Sequence, residues 1–529
     1  MKSAKIKRLC ILLAAAVAAT SAQAVHISPN GTGQVLIFPY YTVRNGFATL
    51  VSVTNTQNNT KMLKVRFREG MNGREVSNFN LFLAPDDTWT GAVVETADGA
   101  RIITNDNSCV TPSDLFTEVR KISATGQPLN EFISLRYTGT QQDAPAFSSL
   151  DRTREGYFEI LEMGVIDATL SATAAQIVGF VKPADADRGG TTNCAAMDSF
   201  ENLALPSSPI RFPNTGAELM SPPRGGLKGR ASLINAATGA NYSFGPTALD
   251  GWSSQVAYSQ PGDARSAVLS DAFPATSMVT TAAGVVIARW TNGRDAVTAA
   301  LMRESVMNEF VIDAGTVSQT DWIVTLPTKS FYTDPIYGNT NASIRVPFSG
   351  AFSSDGTSGC DPYGGSVSNR DGTRRAFLFP SVRPPAPLGS GAQELCRIAN
   401  VVPFLTTTPA GAFSVSSLVG SPTLSPAGFY GFYLYSATSN STASALTSPA
   451  FSGTTQGPNG RASFLFTQTS QQLTPLSAIL ISPFGTQTTI VGKHIGLPMI
   501  GVMLHNYKNA NVVSRYGGVV EHAYSVRVE

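Results

Sequence analysis

Short alternations of apolar and polar residues dominate the chain from residue 34 onward. Three early examples are "FATLVSVTNT" (47–56), "KMLKVRF" (61–67) and "NFNLFL" (78–83). Before them, "GQVLIFPYYTV" (33–43) is an apolar run ending in Pro39, as in a strand that stops or lies at an edge. Neighbouring residues of a strand point to opposite faces of a sheet, so this spacing is typical of half-buried strands. Turn-rich stretches such as "NTQNNT" separate the segments. The pattern predicts an all-β, multi-domain chain of sandwich-like units resembling immunoglobulin domains.

Helical signals are few. The stretch "TPSD" has an N-cap residue followed by proline, and it predicts a short helix over about 112–123. A second helix is predicted over about 295–310, where Met302, Val306 and Phe310 recur at four-residue spacing.

Composition narrows the choice of partners. Charged residues make up 14% of the 529 residues and the formal net charge is +2. The chain therefore lacks the strong positive electrostatic field that would indicate binding to nucleic acid or to an anionic membrane. No phosphate-binding loop or dinucleotide fingerprint is present, so we expect no nucleotide and no cofactor.

The first 24 residues have the features of a secretory signal peptide. A basic "MKSAKIKR" precedes an apolar run over 9–20, and "AQA" ending at Ala24 is a small-x-small cleavage site. No other stretch is long and apolar enough for a transmembrane helix. We expect an exported protein of the cell surface, the extracellular space or the periplasm.

Four cysteines follow the predicted cleavage site, an even number that is typical of disulfides in exported chains. Three pairings are open. We favour Cys109–Cys194 and Cys360–Cys396, because local pairs keep each bridge inside one domain. Their spacing does not suit zinc, and we predict no metal site in these residues.

Pro- and Gly-rich stretches suggest the domain limits. We predict an N-terminal β domain over 25–225 with the first disulfide, a middle β domain over 226–400 with the second, and a C-terminal β region over 401–529.

Basic residues cluster in "LKVRFRE", and Lys64, Arg66 and Arg68 form the candidate surface binding strip. Leu63, Val65 and Phe67 have the opposite parity. The pattern favours a half-buried hairpin with a turn at 70–73, whose basic side faces water. The strip would be the first surface to mutate if a polyanionic partner were found.

No catalytic constellation stands out. Glu159 and Glu162 in "GYFEILEMGVI" have opposite strand parity, so they should not face one cleft as a glycosidase pair would. The four histidines lack metalloprotease spacing and no nucleophile elbow is present. We predict no catalytic residues. The four tryptophans could form a platform on which sugars stack. Calcium binding by the loops at 105–107 or 185–187 is a further alternative.

Several stretches resemble a group of exported proteobacterial proteins to which no activity is attached. The longest is "VSVTNTQNNTKMLKVRFREGMNGREVSNFNLFLAPDDTW"; others are "GGLKGRASLINAATGANYSFGPTALDGW", "TDWIVTLPTKSFYTD" and "NYKNANVVSRYGGVVEHAYS". The resemblance covers about a fifth of the chain. It implies an envelope or extracellular protein and brings no site residues.

We therefore expect a non-enzymatic surface or extracellular protein with a structural, adhesive or partner-binding role. Exposed strand edges could pair with another copy or with an envelope partner. A secreted carbohydrate-binding or carbohydrate-active protein and an outer-membrane β-barrel are the alternatives.

Overall fold

A computed structural model describes most of the chain. The described residues are 23–116, 128–138, 148–181, 193–202, 219–264, 266–311, 318–334, 346–352, 359–372, 374–377, 394–404, 418–421, 435–437, 443–445, 459–508 and 515–529. The structure is mostly β, with 49% of residues in strands and 12% in helices, which confirms the all-β prediction.

Thirteen strands lie before residue 251: β1 (His26–Ile27), β2 (Val35–Thr42), β3 (Ala48–Asn55), β4 (Thr60–Glu69), β5 (Glu75–Leu83), β6 (Thr88–Glu95), β7 (Ala100–Ile103), β8 (Val110–Thr111), β9 (Glu155–Ile166), β10 (Met220–Ser221), β11 (Leu227–Asn235), β12 (Ala240–Phe244) and β13 (Thr247–Asp250) among the described residues.

The described strands of the later chain are β14 (Thr276–Thr281), β15 (Gly284–Arg289), β16 (Met302–Arg303), β17 (Ser305–Val311), β18 (Gln319–Thr325), β19 (Asp361–Pro362), β20 (Gly364–Asn369), β21 (Arg374–Phe377), β22 (Glu394–Leu395), β23 (Ala399–Phe404), β24 (Tyr435–Ala437), β25 (Ala443–Ala445), β26 (Asn459–Leu465), β27 (Gln472–Leu473), β28 (Ser477–Ile481), β29 (Gln487–Ile490), β30 (His494–Ile495), β31 (Leu497–Pro498), β32 (Ile500–Lys508), β33 (Arg515–Glu521), β34 (Ala523–Ser525) and β35 (Arg527–Val528).

Helices are short. The α-helices of the described ranges are α1 (Ala172–Val181), α2 (Cys194–Asn202), α3 (Gly293–Leu301) and α4 (Ser330–Thr333), and 3-10 turns cover Arg44–Gly46, Leu150–Arg154 and Leu269–Asp271.

Strand β4 lies inside the largest sheet, whose strand order is β1-β13-β2-β9-β4-β5-β8, with β10 added beside β9. The predicted hairpin is confirmed: β4 pairs antiparallel with β5, and Leu63 lies opposite Leu81 while Val65 lies opposite Phe79. Gly73 in the connecting turn has a positive φ of 75°, a conformation that glycine adopts without steric cost.

A second sheet of order β12-β11-β3-β6-β7 packs against the large one. Phe38 and Val65 of the large sheet share a buried core with Val53, Trp89 and Leu233 of the second sheet. These residues occupy alternate positions of their strands, so each sheet contributes one apolar face. The packing is sandwich-like, as predicted.

Later strands form further sheets, including β14-β15-β28-β29, β23-β18-β32-β33 and β21-β20-β26-β17-β34. Another core links them to the outer side of the large sheet. It contains Tyr157 and Leu161 of β9 together with Trp322, Phe404 and Phe464. Both faces of the large sheet are therefore covered.

The sheets do not follow the predicted domain limits. Strand β11, which begins at Leu227, pairs along its length with β3 of the N-terminal range. Strand β13 pairs with both β1 and β2, and β23 itself runs across residue 400. Hydrogen bonds between distant strands cross both limits, and local composition carries no information about such pairing.

Both predicted disulfides are present. Cys109 bonds to Cys194 and Cys360 bonds to Cys396. The first bridge ties β8 to the start of α2, because Cys109 directly precedes β8 and Cys194 opens the helix.

The helix predicted over 295–310 is partly wrong. Helix α3 ends at Leu301, and β16 and β17 follow it. Val306 and Phe310 are buried on β17, because a four-residue spacing also keeps one parity on a strand. Of the helix predicted over 112–123, residues 112–116 form a bend and turns, and the remainder from 117 lies outside the described residues.

Within the described residues, no helix is both long enough and apolar enough to cross a membrane. The predicted signal peptide falls almost wholly on residues 1–22, which lie outside the described part of the chain.

Candidate functional site

The basic residues of β4 do not form a surface strip. Lys64, Arg66 and Arg68 are each fully buried, so the prediction that they face water is wrong. Backbone oxygens of a distant segment, at Gln260, Ser266 and Ala267, accept hydrogen bonds from Lys64 and Arg66. Lys64 Nζ donates to Gln260 O at 2.7 Å, and Arg66 Nε donates to Ala267 O at 2.9 Å. Strand parity correctly predicted that these residues share one face of β4. It did not predict what covers that face.

Each arginine of this strand pairs with a buried carboxylate. Arg66 contacts Glu75, and Arg68 Nε lies 2.8 Å from Glu159 Oε1. At the end of the strand, Arg152 Nε lies 2.7 Å from Glu69 Oε2. We name the set of these residues the ionic layer. Buried charges are tolerated when they are paired and hydrogen-bonded, which is the arrangement found here.

Glu69 is the most heavily coordinated carboxylate of the ionic layer. Its oxygens also accept hydrogen bonds from the backbone N–H groups of Met71 and Arg74, at 2.7 and 2.8 Å. Burial alone would raise the pKa of Glu69, but Arg152 and these donors outweigh burial and lower the pKa. Glu69 is therefore held as an anion that fixes the hairpin turn.

Lys64 faces a carboxyl group rather than forming a close ion pair. Burial, and then the neighbouring charge of Arg66, lowers the pKa of Lys64 to about 7. Burial raises the pKa of Glu201, on α2, to about 7. Asn80 Nδ2 donates to Glu201 Oε1 at 2.6 Å. Burial thus moves the pKa values of both groups toward neutral pH.

Glu159 and Glu162 do not share a cleft. Glu159 contacts Arg68, whereas Glu162 accepts from Lys61 Nζ at 2.6 Å and from the backbone N–H groups of Arg224 and Gly225. Both glutamates are fully buried. The position of each is explained by its ion pair, and the geometry lacks the facing carboxyl groups that glycosidases use.

Other sequence candidates also have structural explanations. Trp89, Trp252, Trp290 and Trp322 are all buried, so they form no exposed stacking platform. Asp106 accepts hydrogen bonds from the backbone N–H groups of Ser108, in its own loop, and of Thr90 on β6. Residues 185–187 lie outside the described residues.

A hairpin of β28 and β29 is the most exposed apolar feature of the described chain. β29 is hydrogen-bonded to β28 and is the outermost strand of its sheet. Phe484, in the turn between the two strands, is 96% exposed. Leu476 and Val491, which flank the hairpin, are also largely exposed. The sequence did not predict that this hairpin lies at the edge of a sheet, because its alternation is the same as that of strands paired on both sides.

A cavity of about 300 Å³ lies between the β1–β13–β2 end of the large sheet and strands β18, β32 and β34. Its walls combine polar surface with apolar residues, among them Ile27, Val306, Val324 and Ile500. Arg303 also lines the cavity, although only 4% of this residue is exposed. Sequence analysis missed Arg303 because it was placed inside a predicted helix.

Arg303 has no ionic partner among the described residues. Its Nη1 donates to Met302 O at 2.8 Å and to Ala300 O at 3.3 Å, where helix α3 ends. The guanidinium carbon lies 4.0 Å from the centre of the Tyr524 ring. Burial lowers the pKa of Arg303 to about 10, because no carboxylate offsets the loss of hydration. The side chain is still cationic at neutral pH.

His522 lines the same cavity as a neutral group. Its Nε2 is hydrogen-bonded to Ile323 O and its Nδ1 to the amide of Asn308. Burial lowers the pKa of His522 to about 4. Arg303 is therefore the cation of the cavity lining at neutral pH.

Comparisons with protein-family models, with curated proteins and with solved structures gave no match.

Proposed function

We propose that this is an exported, non-enzymatic protein of the cell surface or extracellular space that assembles with copies of itself through the edge of β29. The observation that carries the proposal is an open, uncharged sheet edge beside the exposed ring of Phe484. Partner-binding by strand addition uses the unpaired N–H and C=O groups of such an edge.

Export is supported by the signal-peptide features of the first 24 residues and by the two disulfides. Disulfides persist in oxidising compartments and are rare in the cytosol of mesophiles. The resemblance of several stretches to exported envelope proteins points the same way.

A second copy is the partner that the edge suits best. The segment "TQTTI" over 486–490 carries no charge, so antiparallel pairing with itself opposes no like charges. Two-fold symmetry would place the same patch on both copies, which is the commonest arrangement in homo-oligomers. Edges that avoid association usually carry lysine or proline, and β29 has neither.

Phe484 would supply the apolar anchor of this contact. β29 has four residues, so its ladder offers few hydrogen bonds. Burying an aromatic side chain contributes about 2 kcal/mol or more, enough to weaken association at least about tenfold when lost. The ring stands where it would meet the partner hairpin.

The test is the molar mass of the mature, disulfide-bonded chain, measured by light scattering during size exclusion over a wide concentration range. We expect a concentration-dependent dimer that Phe484→Ser and Thr489→Lys shift to monomer. Thr280→Lys is the matched control, because Thr280 is exposed on β14 at the opposite edge of the same sheet. It should leave the dimer intact.

A monomer at every concentration would overturn the assembly proposal. A dimer that is unchanged by both β29 variants would do the same, because its interface would then lie elsewhere. Export is tested separately by fractionating expressing cells and sequencing the N-terminus. We expect the mature chain outside the cytoplasm beginning at Val25, and a cytoplasmic full-length chain would contradict export.

A further inference from the structure

Arg303 differs from the other buried cations of the described chain in its surroundings. Lys61, Arg66, Arg68, Arg74, Arg152, Lys329 and Arg397 each form an ion pair with a carboxylate. Lys64 lies near Glu201 and Glu75. The one electrostatic neighbour that raises the pKa of Arg303 is Tyr524. A buried charge without a counterion is costly, and such groups are uncommon unless a ligand completes them.

The hydrogen bonds of Arg303 leave one edge of its guanidinium available. Nη1 is used by the two carbonyl oxygens at the end of α3. The face of the group packs on Tyr524. Nε and Nη2 have no acceptor among the described residues. Two parallel N–H groups on one edge are the donor pattern that binds a carboxylate with two hydrogen bonds.

Capping of helix α3 explains only part of this arrangement. A cation near the last carbonyls of a helix is favourable, and Nη1 serves that purpose. Capping does not require a cavity beside the side chain, nor an open two-donor edge. The cavity of about 300 Å³ would hold about ten water molecules at the volume of liquid water.

Apolar residues form part of the cavity lining and could contact an apolar part of a ligand. Val306, Val324, Met499 and Val502 line it, and Glu521 is the carboxylate of the lining. Glu521 is exposed and forms no ion pair with Arg303. A doubly charged anion would meet one cation and one acidic group in this lining. A single negative charge with an apolar tail matches the lining better.

We propose that Arg303 and this cavity form a binding site for a small monocarboxylate with an apolar body. The carboxylate would accept hydrogen bonds from Nε and Nη2, and the tail would lie against the apolar walls. This inference is independent of the proposed assembly, because β29 does not line the cavity.

The experiment is calorimetric titration of the mature, disulfide-bonded chain with benzoate and hexanoate, and with benzamide and hexanamide as neutral matches. These probes have about eight or nine non-hydrogen atoms, which suits a cavity of this size. We expect saturable, single-site binding of at least one acid and binding of its amide at least about tenfold weaker, because a charge-assisted pair is lost.

Two variants locate the site. Arg303→Met should weaken binding of the acid at least about tenfold. Gly245→Phe is independent of helix capping: Gly245 lines the cavity, and a Cβ atom added there meets no atom within 4 Å. The added ring should obstruct the cavity without disturbing the fold. Gly179→Phe, on the exposed side of α1 with equally open surroundings, is the control and should bind as the parent does.

Four results would overturn the proposal. The first is that neither acid saturates the protein below concentrations on the order of 10 mM. The second is that an amide binds as tightly as its acid, which would remove the role of the charge. The third is that Gly245→Phe binds like the parent, which would place any binding outside this cavity. Tighter binding of inorganic phosphate than of either acid would refute the monocarboxylate class.

Discussion

The ionic layer and the Arg303 cavity differ in what surrounds a buried positive charge. In the ionic layer, Arg68 and Arg152 lie within hydrogen-bonding distance of carboxylates, and both side chains are buried. In the cavity, Arg303 meets two backbone carbonyls and a tyrosine ring. A paired charge that is covered needs nothing more, whereas an unpaired charge beside empty space can still gain a partner. The contrast identifies the ionic layer as a structural feature and the Arg303 cavity as a candidate binding site.

The largest expected effect comes from breaking a pair of the ionic layer. Arg152→Met leaves Glu69 buried without its counterion and should lower the free energy of unfolding by about 3–5 kcal/mol. The measurement is equilibrium urea denaturation without reductant. Arg527→Met is the control, because Arg527 forms its ion pairs on the surface, and it should not move the midpoint. An equally small shift for Arg152→Met would contradict the description of the ionic layer as structural.

Acid should affect the two regions in different pH windows. The pKa of His522 is about 4 against 6.5 for an ordinary histidine. The unfolded chain therefore binds the proton more readily, and stability falls as pH drops from about 6.5 to about 4. The pKa of Glu69 is lowered below 4.5, so its contribution is lost only as pH falls below that value.

His522→Gln tests this order. The variant should make the stability profile less steep between pH 6.5 and 4.5, where His522 contributes about 2 kcal/mol. The contribution of His494, whose pKa burial also lowers to about 4, should remain, as should the loss at lower pH. Urea denaturation at half-unit steps measures both parts. A profile with the same slope between pH 6.5 and 4.5 would contradict the neutral state of His522.

A smaller effect should follow when both members of a pair are replaced. Arg68→Met with Glu159→Leu leaves no uncompensated charge, so the double variant should be more stable than Arg68→Met alone by about 1–3 kcal/mol. Both side chains are fully buried. Urea denaturation of the four chains of the double-mutant cycle gives the coupling. Additive losses would show that the two side chains do not interact.

The smallest effect is expected at Arg303. Arg303→Met removes the hydrogen bonds to Ala300 O and Met302 O but also removes an unpaired buried charge. The two contributions oppose each other, and stability should change by no more than about 1 kcal/mol. A loss as large as that of Arg152→Met would mean that Arg303 belongs with the ionic layer. The same urea measurement decides between these outcomes.

Local pattern was a sound guide where the chain interacts with its near neighbours. The β4–β5 hairpin, its turn near Gly73 and both disulfides agree with the sequence predictions. Strand alternation and turn residues act within about ten positions, and these features depend on little else. The segment after Leu301 was misread because a spacing of four residues fits one face of either a helix or a strand.

By itself, the sequence determined the strand-rich class, the parity of each strand and the residues available for cross-links. Only the tertiary structure decided that Lys64, Arg66 and Arg68 are buried, because their partners come from distant segments: Gln260 and Ala267 lie 196 and 201 residues from Lys64 and Arg66, and Glu159 pairs with Arg68. It also decided that Arg303 lies beside a cavity lined by strands that are far apart in the sequence. Burial and charge pairing are properties of contacts between remote segments, and an alternating pattern specifies a face without specifying what meets it.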